Sequence, residues 1–242
     1  MIDLHCHILP GIDDGATDLD DAAAMASQAE GDGIQSICAT PHIRHDHRVP
    51  IDELEERVAA VNEELEQRRI GVTVLAGGEV AETRLPELDA GDLRAVALGG
   101  GNWILLEPAP GPLSDSLDGA VRELSAAGFG ALIAHPERHL DARAHLRLAR
   151  LVQRGALVQA TAAFFEHPEA APAMLDLARH GLVHVLGSDS HSAAHGRPVR
   201  LSPAIERIGA VESLRRHLGW IAEEAPRGIV QGKAVLTPFR PN

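Results

Sequence analysis

Tyrosine is absent from this 242-residue chain, and Phe, Trp and Tyr together make up only 2% of it. Cysteine is nearly absent too: Cys6 and Cys38 are too few for a disulfide framework, which agrees with a reducing compartment. No uncharged apolar run reaches the ~18 residues that a membrane helix needs, and no basic n-region followed by an apolar stretch opens the sequence. The expectation is a cytoplasmic protein with no membrane insertion. Positive charge is also scarce, with 22 Lys and Arg against 35 Asp and Glu for a net charge of -13. Such a surface repels phosphate backbones and carries no basic stripe, so no nucleic-acid partner is expected unless bound cations reverse the local sign.

Histidine, in contrast, is plentiful at 14 residues, and it is both the common metal ligand and the near-neutral proton carrier. At 45% hydrophobic content the chain can bury a full core as one domain over residues 1–242. Short apolar runs alternate with amphipathic stretches. Strands are expected at residues 2–5, 34–39, 72–76, 103–106, 131–134, 157–160 and 183–186, and helices at 18–31, 51–69, 114–127, 143–154, 168–180 and 203–218. Glycines at 33, 71, 128, 155 and 181 suit helix C-terminal caps. This α/β rhythm closes most naturally as a barrel of parallel strands.

Six of the seven expected strands are followed at once by a metal-ligand type: His5 and His7, His42, Glu79, Glu107, His135, then Asp189 and His191. Strand ends of such a barrel converge on one face, so these groups are expected to meet. Within "DLHCH" the alternation of an extended chain puts Asp3, His5 and His7 on one face. The two histidines can bind one ion as a pair, with Asp3 fixing the tautomer of one ring. Asp13 and Asp14 lie in a Gly-bounded turn; turn chemistry explains both, and a ligand role for one of them is open.

"CATPHIR", residues 38–44, carries the C-x5-R spacing of thiol-dependent tyrosine phosphatases. That chemistry needs successive backbone N–H groups cradling phosphate. Here Pro41 deletes a donor, no glycine turns the loop, and Cys38 falls in an apolar strand, so the spacing is read as coincidence.

Taken together, "DLHCH", "TPH" (40–42), "GGE" (77–79), "LLE" (105–107), "AHPER" (134–138) and "GSDSH" (187–191) resemble the PHP superfamily. "HILPGIDDG", "AHPERH" and the "GRP" at 196–198 narrow the resemblance to the metal-dependent tyrosine phosphatases of bacterial capsule and exopolysaccharide operons. It implies an α/β fold, a distorted TIM-like (β/α)7 barrel, with three divalent metal ions, chiefly manganese, with iron or zinc as alternatives. By the same resemblance His5, His7, Glu79 and Asp189 hold the first ion, Glu79, Glu107 and His135 the second, and Asp14, His42 and His191 the third. Arg138 and Arg197 match the arginines used on phosphate. The partner it implies is the phosphotyrosine-bearing tail of a bacterial tyrosine kinase that regulates polysaccharide export; a homodimer is left open. Short loops favour a peptide substrate. The alternative is a PHP phosphoesterase acting on a small-molecule phosphate such as histidinol phosphate or a sugar or nucleotide phosphate. His45, His47 and His195 are candidate proton donors by location alone.

Overall fold

In the computed structural model, which describes residues 1–239, parallel strands alternate with helices from the first residues onward. In chain order the elements are β1 (Ile2–Cys6), α1 (Leu19–Gly31), β2 (Ser36–Ala39), β3 (His42–Ile43), α2 (Leu54–Arg68), β4 (Thr73–Leu75), β5 (Glu79–Ala81), α3 (Ala90–Ala95) and β6 (Trp103–Glu107). They continue as α4 (Ser116–Ala126), β7 (Gly130–Ile133), α5 (Ala144–Gln153), β8 (Leu157–Thr161), α6 (Ala171–Arg179), β9 (Val185–Gly187), α7 (Ser202–Gly209), α8 (Glu212–Arg215) and α9 (Ala225–Val230). Side chains cap two of these starts: Asp18 accepts from the N–H of Asp21 ahead of α1, and Asp89 with Asp92 forms a capping box on α3.

Two parallel sheets, β1-β2-β4 and β3-β5-β6-β7-β8-β9, share their staves, because β3 continues the line of β2 and β5 that of β4. The edges meet where the N–H of Asp189 donates to the His5 carbonyl at 2.8 Å and that of His7 to the Ser190 carbonyl at 2.9 Å. Seven staves therefore run around one axis, as expected, although two are broken. Pro41 interrupts the first break and Gly77-Gly78 the second, leaving upper pieces of two and three residues, too short for hydropathy to reveal.

The expected last helix, 203–218, divides into α7 and α8 because Val211 is extended. Gly209 sits so close to Leu218 that a Cβ would come within 2.8 Å of its Cδ1, so the chain folds back there. No helix of the described residues is long and apolar enough to cross a membrane.

Alternation along β6 shows how the fold loads its site. Ile104 and Leu106 join the larger core beneath the helices, whereas Trp103 and Leu105 join a smaller cluster with Leu4, Cys38, Leu132 and Val185, covered by Ala225 and Ile229 of α9. Glu107 continues the Trp103–Leu105 face, so an apolar face ends in a carboxylate.

His184, just before β9, is fully buried, accepts from the Val158 N–H at 3.1 Å through Nδ1, and meets the Trp220 and Phe239 rings edge-on. Burial pushes its pKa down from 6.5 to about 3. The unfolded chain takes up this proton near pH 6.5 and the folded chain refuses it, so stability present above that pH is lost as the pH falls. At pH 5 this one group costs about 2 kcal/mol. His184→Asn keeps an acceptor near Nδ1 and removes the titration, so chemical denaturation at pH 6.5 and pH 5 is expected to show a shallower acid loss by about that amount. An unchanged loss would remove His184 as the cause.

Candidate metal centre

The strand ends bring all nine expected ligand residues to one face. At its middle stands Glu79, the first residue of β5 and buried. Its carboxylate lies 3.5 Å from Nε2 of His5, 3.5 Å from Nε2 of His7, 2.8 Å from Nδ1 of His42 and 2.7 Å from Nε2 of His135. Asp189 lies 3.6 Å from His5 and 3.8 Å from both His7 and His191. Asp14 completes the rim at 3.4 Å from His42 and 3.5 Å from His191, with its side chain 59% exposed.

Ligand atoms that lie within 4.8 Å of one another form three groups here: His5, His7 and Asp189; His42, Glu79 and Glu107; and His7, Asp14, His42 and His191. His7 thus stands between the first and third groups and His42 between the second and third, whereas His135 enters through Glu79. The ring of His7 stacks on that of His191 at 3.9 Å and lies 4.4 Å from that of His42.

Behind these groups a second set of side chains fixes them, and here one expectation is corrected. Asp3 orients no ring: its Oδ1 accepts the backbone N–H groups of His5 and Ser188 and so ties β1 to the end of β9. The partner of His5 Nδ1 is Gln159 Oε1 at 3.0 Å, and the partner of His7 Nδ1 is Asp13 Oδ2 at 2.8 Å. Asp13 also accepts from the N–H groups of His42 and Gly15, so its carboxylate is fully engaged and only Asp14 remains to face the histidines. Gly15 makes this turn possible, since a Cβ there would fall 2.2 Å from the His7 carbonyl oxygen. Gln159 belongs to the one stave that ends in no ligand type; its residue type gave no warning.

The donor set fits cations. Asp13 and Gln159 accept from the Nδ1–H of His7 and His5, which leaves both Nε2 atoms bare, and these face each other at 3.3 Å. Two facing lone pairs require positive charge between them. Similarly, His42 Nδ1 and Glu79 Oε2 stand 2.8 Å apart in the interior with no directed hydrogen bond on either atom. Without metal the proton substitutes: burial opposes a charge on His5, yet Glu79 and Asp189 lift its pKa to about 10. Burial likewise works against ionisation of Asp189, but His5, Arg197 and Arg138 hold its pKa down at about 2. Glu107 goes the other way, pushed up to about 7 by burial and then by the charge of Glu79.

Both expected arginines reach the centre and both meet Asp189. Arg138 donates through Nη2 to its Oδ2 at 2.5 Å, and Arg197 lies 2.9 Å from the same oxygen while Nε donates to the Asp189 carbonyl at 2.8 Å. Asp189 and His135 take positive φ, and with Arg69 they are the three non-glycine residues among those described that do so. The Asp189 backbone is held by its ring-closing N–H bond to the His5 carbonyl, and the His135 N–H lies 3.4 Å from Gln159 Oε1.

Arg44, the arginine of the C-x5-R spacing read as coincidence, also comes to this face: its Nη1 lies 3.4 Å from Glu107 Oε1 while Asp46 holds the rest of its fork. Of the three loop histidines, His47 has its ring 5.2 Å from that of His42, His45 faces Glu87 at 3.6 Å, and His195 is exposed. Cys38 is fully buried in the smaller apolar cluster, and burial, aided by Asp3, pushes its thiol far above the usual range; Cys6 behaves alike. Neither can serve as a thiolate nucleophile.

Known proteins resemble this chain in sequence and fold. The chain is 33% identical over 199 residues to the tyrosine-protein phosphatase YwqE of Bacillus subtilis (strain 168), covering 79% of this chain and 78% of the relative. It is 25% identical over 220 residues to the tyrosine-protein phosphatase CpsB of Streptococcus pneumoniae, covering 86% and 89%. A crystal structure from work on YwqE and CpsB, described as unique metal-dependent tyrosine phosphatases, superimposes with a TM-score of 0.86 at 27% identity over 100% of this chain and 99% of the other. A lactonase from Listeria monocytogenes, at 11% identity and a TM-score of 0.61 over 96% and 94% of the two chains, shares the fold alone. Residues 1–213 match the family described as capsular polysaccharide synthesis, CpsB/CapC, and the chain belongs to that family.

Proposed function

We propose that this chain is a metal-dependent protein-tyrosine phosphatase. The observation that carries the reading is a buried carboxylate, Glu79, ringed by four histidines, with two guanidinium groups meeting at Asp189 on the same face. His5, His7, Asp14, His42, Glu79, Glu107, His135, Asp189 and His191 are the residues that would hold the cations, three divalent ions with manganese as the first candidate. Bound there, such ions acidify water and neutralise phosphoryl charge.

The remaining work falls to the chain itself. Gln159 and Asp13 lock His5 and His7 in the tautomers that present Nε2 inward. Arg138 and Arg197 spend only part of their N–H groups on Asp189, so the rest can fork onto phosphate oxygens as charge builds up in the transition state. A tyrosyl leaving group, with a phenol pKa of about 10, departs with little protonation, so no strong general acid is required. His47 is the loop histidine placed nearest to help.

The substrate we infer is phosphotyrosine on a bacterial tyrosine kinase that controls polysaccharide export. The support is the capsular polysaccharide family and relatives named tyrosine-protein phosphatase. A panel of a phosphotyrosine peptide, a phosphoserine peptide, histidinol phosphate and a nucleic-acid 3′-phosphate tests it. The phosphotyrosine peptide is expected to lead in kcat/KM by at least about tenfold, a difference of about 1.4 kcal/mol in transition-state binding. Faster turnover of histidinol phosphate or of the 3′-phosphate would replace this reading with the small-molecule or nucleic-acid one.

A further inference from the structure

A second set of ligand side chains meets away from the centre, between α5 and α6. His145 lies in the first turn of α5, Asp176 on α6, and His180 caps the end of α6. Asp176 Oδ2 stands 3.0 Å from Nε2 of His145, and its Oδ1 stands 3.7 Å from Nδ1 of His180. One ligand atom from each of the three lies within 4.8 Å of the other two. We propose that His145, Asp176 and His180 form a separate site for a borderline divalent transition ion, of the zinc or copper class, that ties α5 to α6.

Two features go beyond mere proximity. His145 Nε2 is shielded from solvent and makes no directed hydrogen bond, although a carboxylate oxygen lies 3.0 Å away. That is the relation of two ligands of one ion rather than of a donor and its acceptor. The rings of His145 and His180 stand edge to face, at 81° with centroids 5.2 Å apart, so neither blocks the other's approach to a shared point. Nδ1 of His180 stands 2.9 Å from the Asp176 carbonyl as well as 3.7 Å from its Oδ1, so an ion would take this nitrogen in place of that local contact with the helix backbone.

The donor set also selects the ion. Two imidazoles and one carboxylate suit zinc or copper, whereas manganese and magnesium prefer the oxygen-rich kind of site and bind imidazole sites more weakly. Zinc needs ligand distances of about 2.0–2.1 Å and a fourth position, which water fills. The side chains are 41%, 47% and 42% exposed for His145, Asp176 and His180, so they are free to draw together around an ion without repacking a core. Asp176 and His180, four residues apart on one helix face, supply a chelating pair on a fixed backbone.

The test uses the intact, manganese-loaded protein, dialysed against zinc and counted for bound metal, with cobalt as a spectroscopic probe. The parent is expected to hold one more equivalent of zinc than His145→Ala and than His180→Ala, and the visible cobalt bands of that equivalent are expected to vanish in both variants. Exchange of zinc into the main centre affects all three proteins alike and cancels in the difference. Phosphatase activity before zinc is added is expected to be equal in all three. Equal zinc counts in the parent and both variants would overturn the proposal. Should an alanine variant melt early, Asp176→Asn, which keeps the shape, removes the same equivalent if the site is real and leaves it if it is not.

Discussion

Chelation of the divalent ions is expected to abolish phosphatase turnover, and Cys38→Ser to retain most of it. The first half follows from Glu79. Its carboxylate lies within 3.5 Å of four imidazoles, so Glu79→Gln removes the one charge that every part of the centre shares. A loss in kcat of at least about 10³ is expected for that variant, or about 4 kcal/mol. The second half follows from burial. Cys38 has no exposed surface, its thiol is held protonated, and Pro41 spoils the loop that thiol chemistry would need. Metal loss is also expected to lower the melting temperature, because Glu79, Glu107, Asp189 and Asp14 crowd one face. Ions held at about a hundred times their dissociation constants contribute about 2.7 kcal/mol each, or roughly 5–10 °C for a chain of this size. Activity, metal content and melting measured together decide the matter. A folded, metal-loaded Cys38→Ser protein without activity would overturn the metal mechanism.

Removing either guanidinium group is expected to cost about ten- to a thousandfold in kcat/KM, that is about 1.4 to 4 kcal/mol. The geometry sharpens how this loss arises. Arg138 and Arg197 share Asp189 Oδ2 at 2.5 and 2.9 Å, so each helps to keep that carboxylate ionised. Arg197→Ala and Arg138→Ala are therefore expected to keep the fold and metal content while losing affinity for inorganic phosphate, and the double variant is expected to lose less than the product of the single losses. Lysine at either position restores charge without the fork and is expected to recover only part of the rate. If both alanine variants turned over a phosphotyrosine peptide and bound phosphate as the parent does, the clamp assignment would fail.

Much of the fold was legible because it is written in local patterns. Helical periodicity located α1, α2, α4, α5 and α6 to within a few residues, and apolar runs located β1, β6, β7 and β8. What escaped was short or broken. The strands β3 and β5 are two and three residues long, yet His42 and Glu79 begin them, so the ligands stand within the staves rather than after them. The break at Val211 comes with a fold-back that packs Gly209 against Leu218, whereas helical periodicity alone runs on through residues 203–218.

The ligand set itself was readable because barrel strands end on one face, which turns a list of positions into a place. Residue types at strand ends are a property of the sequence alone, and so was the choice of metal over thiol, since Pro41 cannot donate whatever surrounds it. The supporting shell was decided by the tertiary structure. Asp3, on the same face of β1 as the histidines, holds backbone instead of a ring, while Gln159, 154 residues from His5, holds the ring. Asp13 and Asp14 are chemically identical neighbours, and only the turn at Gly15 points one at His7 Nδ1 and the other at His42 and His191. Sequence specifies which groups a chain owns and their order along each strand; which partner each finally meets depends on distances between segments far apart in the chain, and those exist only once the ring has closed.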